Sequence, residues 1–275
     1  MGFVFRVVSV CMLIILTTLQ VRGEEAADFN KRKEVLAQKL LTKGLSEGEV
    51  RALFDDTRVA MYPEILQKKG KGIDYFHRKF GLLTRTSIER GQRIIRDNLD
   101  ELKRIEALFG VEKEVLVAVY RVETNFGGYT GSYPVFNSLL TMTLLENRRS
   151  AWAEKELINL IVFSRERGFD ALAIKGSWAG AFGLCQFVPS SYLTYAVDGN
   201  GDGRVDLFNV VDALASVANY LKYSGWENGN LQKKKKAIYA YNHCDNYVKA
   251  VLAYAKAVGK MPAVSAAAAR GSADS

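Results

Sequence analysis

From residue 31 to residue 258 the chain repeats its apolar residues at helical spacing and offers almost no alternating run of strand length. That property directs it to a mainly α fold, because a sheet needs period-two strands punctuated by turn residues. Amphipathic stretches span 31–43, 46–56, 84–109, 111–124, 148–167, 210–224 and 245–258. Ser46, with Glu49 three residues on, forms a capping box, and Gly110, Gly168 and Gly225 stand where stretches must stop. No hairpin dipeptide lies between β-rich segments, and no internal repeat is present. With 275 residues, 48% of them hydrophobic and 25% charged, the chain can bury one sizeable core or two modest ones.

The first 23 residues stand apart from this pattern. An apolar run, Val7 to Leu19, follows Arg6, and the small residues Val21 and Gly23 come next. This is the layout of a secretory signal peptide cleaved after Gly23, and it sends the mature protein to the periplasm. The alternative, an uncleaved anchor, would need a longer span, of roughly 20 apolar residues. Cys11 follows Val10 inside the run, which does not suit a lipid-modified cysteine. Removing Arg6 and Arg22 lowers the net charge from +8 to +6, a moderately cationic balance that suits an anionic cell wall or membrane surface. Basic and aromatic residues are not interleaved, so nucleic acid is not an expected partner.

Residues 24–110 read as an N-terminal helical region, 111–260 as the part carrying the motifs, and the Ala/Ser-rich 261–275 as a flexible tail. The run Lys233 to Lys236 reads as a solvated helix start, His77 as structural, and His243 as either a surface residue or a substrate contact. Cys185 and Cys244 remain after cleavage, and a disulfide or two buried thiols are both open.

Within 111–127, Leu116, Val119, Tyr120 and Glu123 fall at i, i+3, i+4 and i+7, which sets a carboxylate on the apolar stripe. Glu123 also lies in the last turn, just before Asn125 and Gly127 end the helix. Desolvation and the negative end of the helix dipole both disfavour its charged form, and a raised pKa is what a general acid requires. The pattern alone is equally met by a carboxylate that reaches solvent or pairs with Arg121.

Lys175 to Ser191 is rich in glycine, with Ser177 and Gln186 able to hydrogen-bond a sugar or amide; close packing of this stretch is the other reading. Asp198-Gly-Asn200-Gly-Asp202-Gly203-Arg204-Val205-Asp206 follows the EF-hand Ca²⁺ loop at positions 1, 3, 5, 6, 8 and 9. Asp198, Asn200, Asp202, the carbonyl of Arg204 and Asn209 would be the ligands. Asn209 stands at position 12 in place of a bidentate Glu, so weaker affinity and a structural role for the ion are expected.

Taken in order, Val122-Glu123-Thr124-Asn125-Phe126-Gly127, Gly176 to Ser191, Asp198 to Asn209 and Tyr241-Asn242 resemble the lytic murein transglycosylase B family, from about residue 30 to 258. The resemblance implies a lysozyme-like helical catalytic core, an additional N-terminal helical region and an EF-hand-like Ca²⁺ loop at 198–209, with no organic cofactor. It further implies cleavage of the bond between N-acetylmuramic acid and N-acetylglucosamine in peptidoglycan. Glu123 would act as the single acid and then base, closing a 1,6-anhydro ring on the muramic sugar. By the same resemblance Ser177 and Gln186 hold the N-acetyl group and sugar, Arg148 and Arg149 meet the peptide stem or glycan, and Tyr241, Asn242 and Tyr247 line the cleft. Glycan strands are the expected partner and a monomer the expected state. A lysozyme-type hydrolase and a non-catalytic, Ca²⁺-stabilised wall-binding module are the competing functions.

Overall fold

The computed structural model describes residues 28–68 and 72–260, so the signal-peptide and tail expectations fall outside the described residues. Eleven α-helices carry the described chain. They are α1 (28–42), α2 (Glu47–Asp55), α3 (Arg85–Asp97), α4 (Leu99–Phe109), α5 (Lys113–Thr124) and α6 (Val135–Leu144). There follow α7 (Ser150–Arg167), α8 (Pro189–Tyr195), α9 (Val210–Tyr223), α10 (Leu231–Tyr241) and α11 (Asp245–Gly259). A 3₁₀ turn covers Pro63–Gln67, and among the described residues extended structure amounts to the two-residue pieces Tyr133–Pro134 and Lys175–Gly176 and isolated bridges at Gly176–Phe182 and Phe182–Phe187.

The mainly α expectation holds, with differences of physical interest. The stretch 84–109 is two helices, because Asn98 leaves the helical region and its side-chain Nδ2 donates to Ile94 O at 2.9 Å. Gly110 and Gly168 end α4 and α7 in the left-handed region, both with φ 72°, where a glycine costs least. Helix α6 was not expected. All ten of its residues are buried, and a helix enclosed on every side shows no amphipathic period to read.

The chain forms two compact units that do not divide at residue 110. Of the described residues, the first contains 28–68, 133–174 and 178–180; the second contains 72–132, 175–177 and 181–260. In the first unit α6 packs on α7 and on the 3₁₀ turn. Asn137 Nδ2 donates to Arg58 O at 2.8 Å, Tyr62 N donates to Thr141 Oγ1 at 2.9 Å, and Arg165 pairs with Glu49 at 2.8 Å. In the second unit α5 packs on α3, α9 and α11, and α4 packs on α9. Helices α3 and α4 therefore belong with the motif-bearing helices rather than with a separate leader. The cause is visible in α5, nine of whose twelve residues are buried and need neighbours on every side.

Candidate active site

The second unit builds its site around the end of α5. Asn125 (φ 52°) and Phe126 (φ 61°) turn the chain into the left-handed region directly after Glu123 and Thr124. Left-handed geometry is unfavourable for a side chain as bulky as Phe126, so neighbouring contacts must hold it. Arg90 of α3 supplies them: its guanidinium donates to Asn125 O at 3.1 Å and to Asn125 Oδ1 at 3.2 Å, and lies 5.1 Å from the centre of the Phe126 ring. Thr124 Oγ1 donates to Leu184 O at 3.0 Å and accepts from Gly127 N at 3.1 Å, fastening the helix end to the glycine-rich stretch.

Glu123 keeps partial solvent access, but its carboxyl is closely surrounded by protein. Desolvation raises its pKa from the ordinary 4.5 to about 7, against the opposing effect of Tyr247, whose phenol donates to Oε1 at 2.6 Å. Arg121 does not pair with it. That guanidinium is buried and donates to Ser87 Oγ and Phe80 O, each at 2.7 Å, with the Phe80 ring centre 4.9 Å away. The pairing reading left open by the sequence is thereby removed, and the carboxyl stays desolvated without a cationic neighbour to lower its pKa.

Tyr247 is fixed by aromatic packing on two sides. Tyr241 stacks on it at 6.2 Å with rings 8° from parallel, and Tyr75 meets it edge-on at 5.9 Å. Tyr241 in turn donates to Cys185 O at 2.6 Å. Burial first, and then the nearby Glu123, push the phenols of Tyr75 and Tyr247 upward in pKa; for Tyr241 burial is joined by Cys185 and then Glu123. These hydroxyls therefore stay protonated, and those of Tyr241 and Tyr247 serve as donors. Cys185 and Cys244 are free thiols, and burial raises the Cys185 thiol beyond any thiolate role near neutrality.

The glycine-rich stretch turns tightly against the 124–131 segment. Ser177 Oγ accepts from Ala181 N at 3.0 Å, which leaves the hydroxyl proton available to a ligand. Gln186 adopts φ 52°, and its Nε2 donates to Thr130 O at 3.0 Å and Gly183 O at 2.9 Å, so its amide nitrogen braces the loop. Gly131 sits at φ 98° with the Gly176 carbonyl packed where a Cβ would project. Asn242 caps the C-terminus of α10, its backbone N–H donating to Ile238 O. Arg148 and Arg149 belong to the first unit, at the start of α7, where the Arg149 guanidinium lies 4.0 Å from the centre of the Trp152 ring.

In the loop 198–209, Asp198 accepts from the N–H groups of Gly201, Asp202 and Gly203, which hold its carboxyl below the ordinary range. Asn200 and Asp202 each accept from the N–H two residues on. Asn209, the expected twelfth ligand, instead caps α9 by accepting from Val211 N and Asp212 N, which occupies its side-chain oxygen. The carboxylate that closes the loop is Asp212, fully buried, whose oxygens accept from Gly199 N, Asn200 N and Asp206 N. Among the described residues, no three His, Cys, Asp or Glu side chains gather as a metal cluster. The donor set left to a cation is two carboxylates, an amide oxygen and a backbone carbonyl, all hard oxygens, which fits Ca²⁺ at modest affinity.

Three residues of this arrangement are not marked by the sequence: Tyr75, Arg90 and Asp212. Tyr75 lies in an aperiodic segment, and Arg90 on the polar side of its helix. Asp212 carries one signal, an acid in the first turn of a helix directly after the loop.

A helical unit that holds one desolvated carboxyl at a helix C-terminus is a lysozyme-like architecture. Residues 28–235 match the model of the transglycosylase SLT domain, and the chain belongs to that family. It is 37% identical over 155 residues to the membrane-bound lytic murein transglycosylase B of Escherichia coli (strain K12). That alignment covers 56% of this chain and 42% of the relative, so the chain spans under half the length of that protein. The fold is also similar to the soluble lytic transglycosylase SltB1 of Pseudomonas aeruginosa, with a TM-score of 0.76 and 25% identity over 83% of this chain and 98% of that one. The Escherichia coli lytic transglycosylase Slt35 in complex with calcium gives a TM-score of 0.76 and 24% identity, over 83% and 92% of the two chains.

Proposed function

We propose that the protein is a lytic transglycosylase that cleaves the β-1,4 bond between N-acetylmuramic acid and N-acetylglucosamine in peptidoglycan. The observation that carries this reading is Glu123: a carboxyl with a pKa near 7, held by Tyr247 and free of any cation, in a chain of the transglycosylase family. In its protonated form Glu123 gives its proton to the bridging oxygen as the bond from the muramic C1 breaks. The substrate's acetamido oxygen supports the positive charge at C1, and Ser177 orients that group through its free hydroxyl proton. The Glu123 carboxylate then takes the proton of the muramic C6 hydroxyl while O6 bonds to C1, which closes the 1,6-anhydro ring and returns the acid to its starting state. One carboxyl thus serves both steps. Tyr241, Asn242 and Tyr247 form the wall beside it, the carbonyl oxygen of Gln186 is left for the sugar, and Arg148 and Arg149 meet the stem or glycan.

The loop 198–209 is read as a structural Ca²⁺ site using Asp198, Asn200, Asp202 and the Arg204 carbonyl. The similarity of the fold to Slt35, a protein seen in complex with calcium, supports that choice of ion. Export to the periplasm as a monomer completes the reading. No helix among the described residues is long and apolar enough to cross a membrane.

Digestion of purified sacculi followed by mass spectrometry tests the reaction. Anhydromuramyl ends are expected, and Glu123→Gln should bind sacculi without releasing fragments. Products ending only in hydrated reducing sugars would replace this reading with a hydrolase. Binding without any release by the wild type would replace it with a wall-binding module.

A further inference from the structure

The four lysines of the 233–236 run have unlike surroundings. Lys233 pairs with Glu227 and Lys234 with Glu112. Lys235 and Lys236 have no carboxylate partner among the described residues, and with Lys249 of α11 they line a cavity of about 400 Å³. Tyr239, 42% exposed, and Asp245 complete its chemistry. The Tyr239 ring is held by an edge-on contact with His243, centroids 5.4 Å apart. Three ammonium groups facing one concavity raise the local potential well above that of scattered surface charges. The single carboxylate among them adds a place for one cation.

This composition complements a short ligand that carries several carboxylates and one free amine. A volume of this size takes a few residues of extended peptide. A lipid surface, by contrast, is met by a flat cationic face with several apolar anchors, and here one exposed ring stands in a hollow. We propose that the α10–α11 pocket binds the peptide stems of peptidoglycan, Lys235, Lys236 and Lys249 taking stem carboxylates and Asp245 the stem amine. The proposal rests on the reading of the protein as a peptidoglycan enzyme. Tyr239 and Tyr241 lie two positions apart on one helix, so they face nearly opposite sides. The pocket therefore lies on the reverse of the helix from the Tyr241–Tyr247–Glu123 array. It engages a stem away from the bond being cut and keeps the enzyme on the sacculus between cleavages.

The test uses the full mature chain and Lys235→Glu/Lys249→Glu, with circular dichroism to verify folding. Binding is measured to a soluble stem tetrapeptide, and rates are measured on intact sacculi and on glycan stripped of stems by an amidase. The reversal should weaken tetrapeptide binding about tenfold, the scale of two exposed ion pairs turned repulsive. KM on intact sacculi should rise similarly, with the rate on stripped glycan unchanged. Equal tetrapeptide affinity in the two proteins, or binding by neither, overturns the proposal. So does a variant that loses binding to phosphatidylglycerol vesicles while keeping its tetrapeptide affinity, which would assign the patch to a membrane. The wild-type rate on the two substrates is the separate readout: no cleavage of either, with normal tetrapeptide binding, removes the transglycosylase reading and leaves the pocket.

Discussion

Tyr247 donates a 2.6 Å hydrogen bond to Glu123 Oε1 from a ring that is only 1% exposed. The phenol does two opposing things. It fixes the carboxyl's direction, and by favouring the charged form it keeps the desolvation-raised pKa from climbing further. Tyr75 and Tyr241 hold the ring, so the balance is set by packing that reaches from α10 and α11 to the segment before α3.

Tyr247→Phe therefore raises the pKa of Glu123. If protonated Glu123 is the form that acts first, the basic limb of the pH–rate profile moves to higher pH in the variant. At neutral pH kcat falls about tenfold, because Oε1 loses the donor that orients it. A limb at the same pH as in wild type would show that another group controls it.

A raised carboxylate pKa also has a sign in stability. Between 4.5 and about 7 the folded state binds more protons than the unfolded chain, so this contribution is complete below pH 4.5 and is lost as pH rises through 7. Glu123→Gln cannot ionise and escapes the loss. Relative to wild type it should gain on the order of 1–3 kcal/mol between pH 5 and pH 8. Melting curves of both proteins at the two pH values check this; a gap that does not widen counts against a desolvated carboxyl.

Gly131→Ala should destabilise by more than about 2 kcal/mol, since the new Cβ would overlap the Gly176 carbonyl and φ 98° already disfavours a side chain. The same clash pushes the 175–177 segment, so Ser177 should be displaced and KM should rise with the loss of stability. Urea unfolding of the variant measures the first effect, and steady-state rates on sacculi the second.

The helices that the sequence marks well have either a regular polar face, as α2 does, or a clear stop, as at Asn125 after α5 and Gly168 after α7. The 46–56, 111–124, 148–167 and 245–258 stretches lie within a few residues of α2, α5, α7 and α11. Helix α6 escapes because nothing polar interrupts its burial in a regular way, and the break at Asn98 depends on one side-chain bond. At the site, Glu123 is legible because a carboxylate on an apolar stripe is out of place. Its freedom from Arg121 is not, because neighbours on one helix become partners only when tertiary packing leaves them no better acceptors, and Ser87 and Phe80 provide those. The loop 198–209 is legible as a spacing, whereas its anchor Asp212 is one acid among many until three backbone N–H groups converge on it.

Those three N–H groups separate the loop's fold from its ion. Asp212→Ala removes a fully buried carboxylate and strands the donors of Gly199, Asn200 and Asp206. The cost should be about 3–5 kcal/mol, from several unsatisfied donors together. It should appear equally in Ca²⁺ and in EDTA, because those bonds need no metal. Asp198→Ala touches an exposed carboxylate at loop position 1, so its cost should be small in EDTA and should grow when Ca²⁺ is present to stabilise the wild type. Thermal melts of the three proteins in both buffers distinguish the cases. If Ca²⁺ leaves the wild-type Tm unchanged, the loop is a turn built on Asp212 and the ion has no structural part in it.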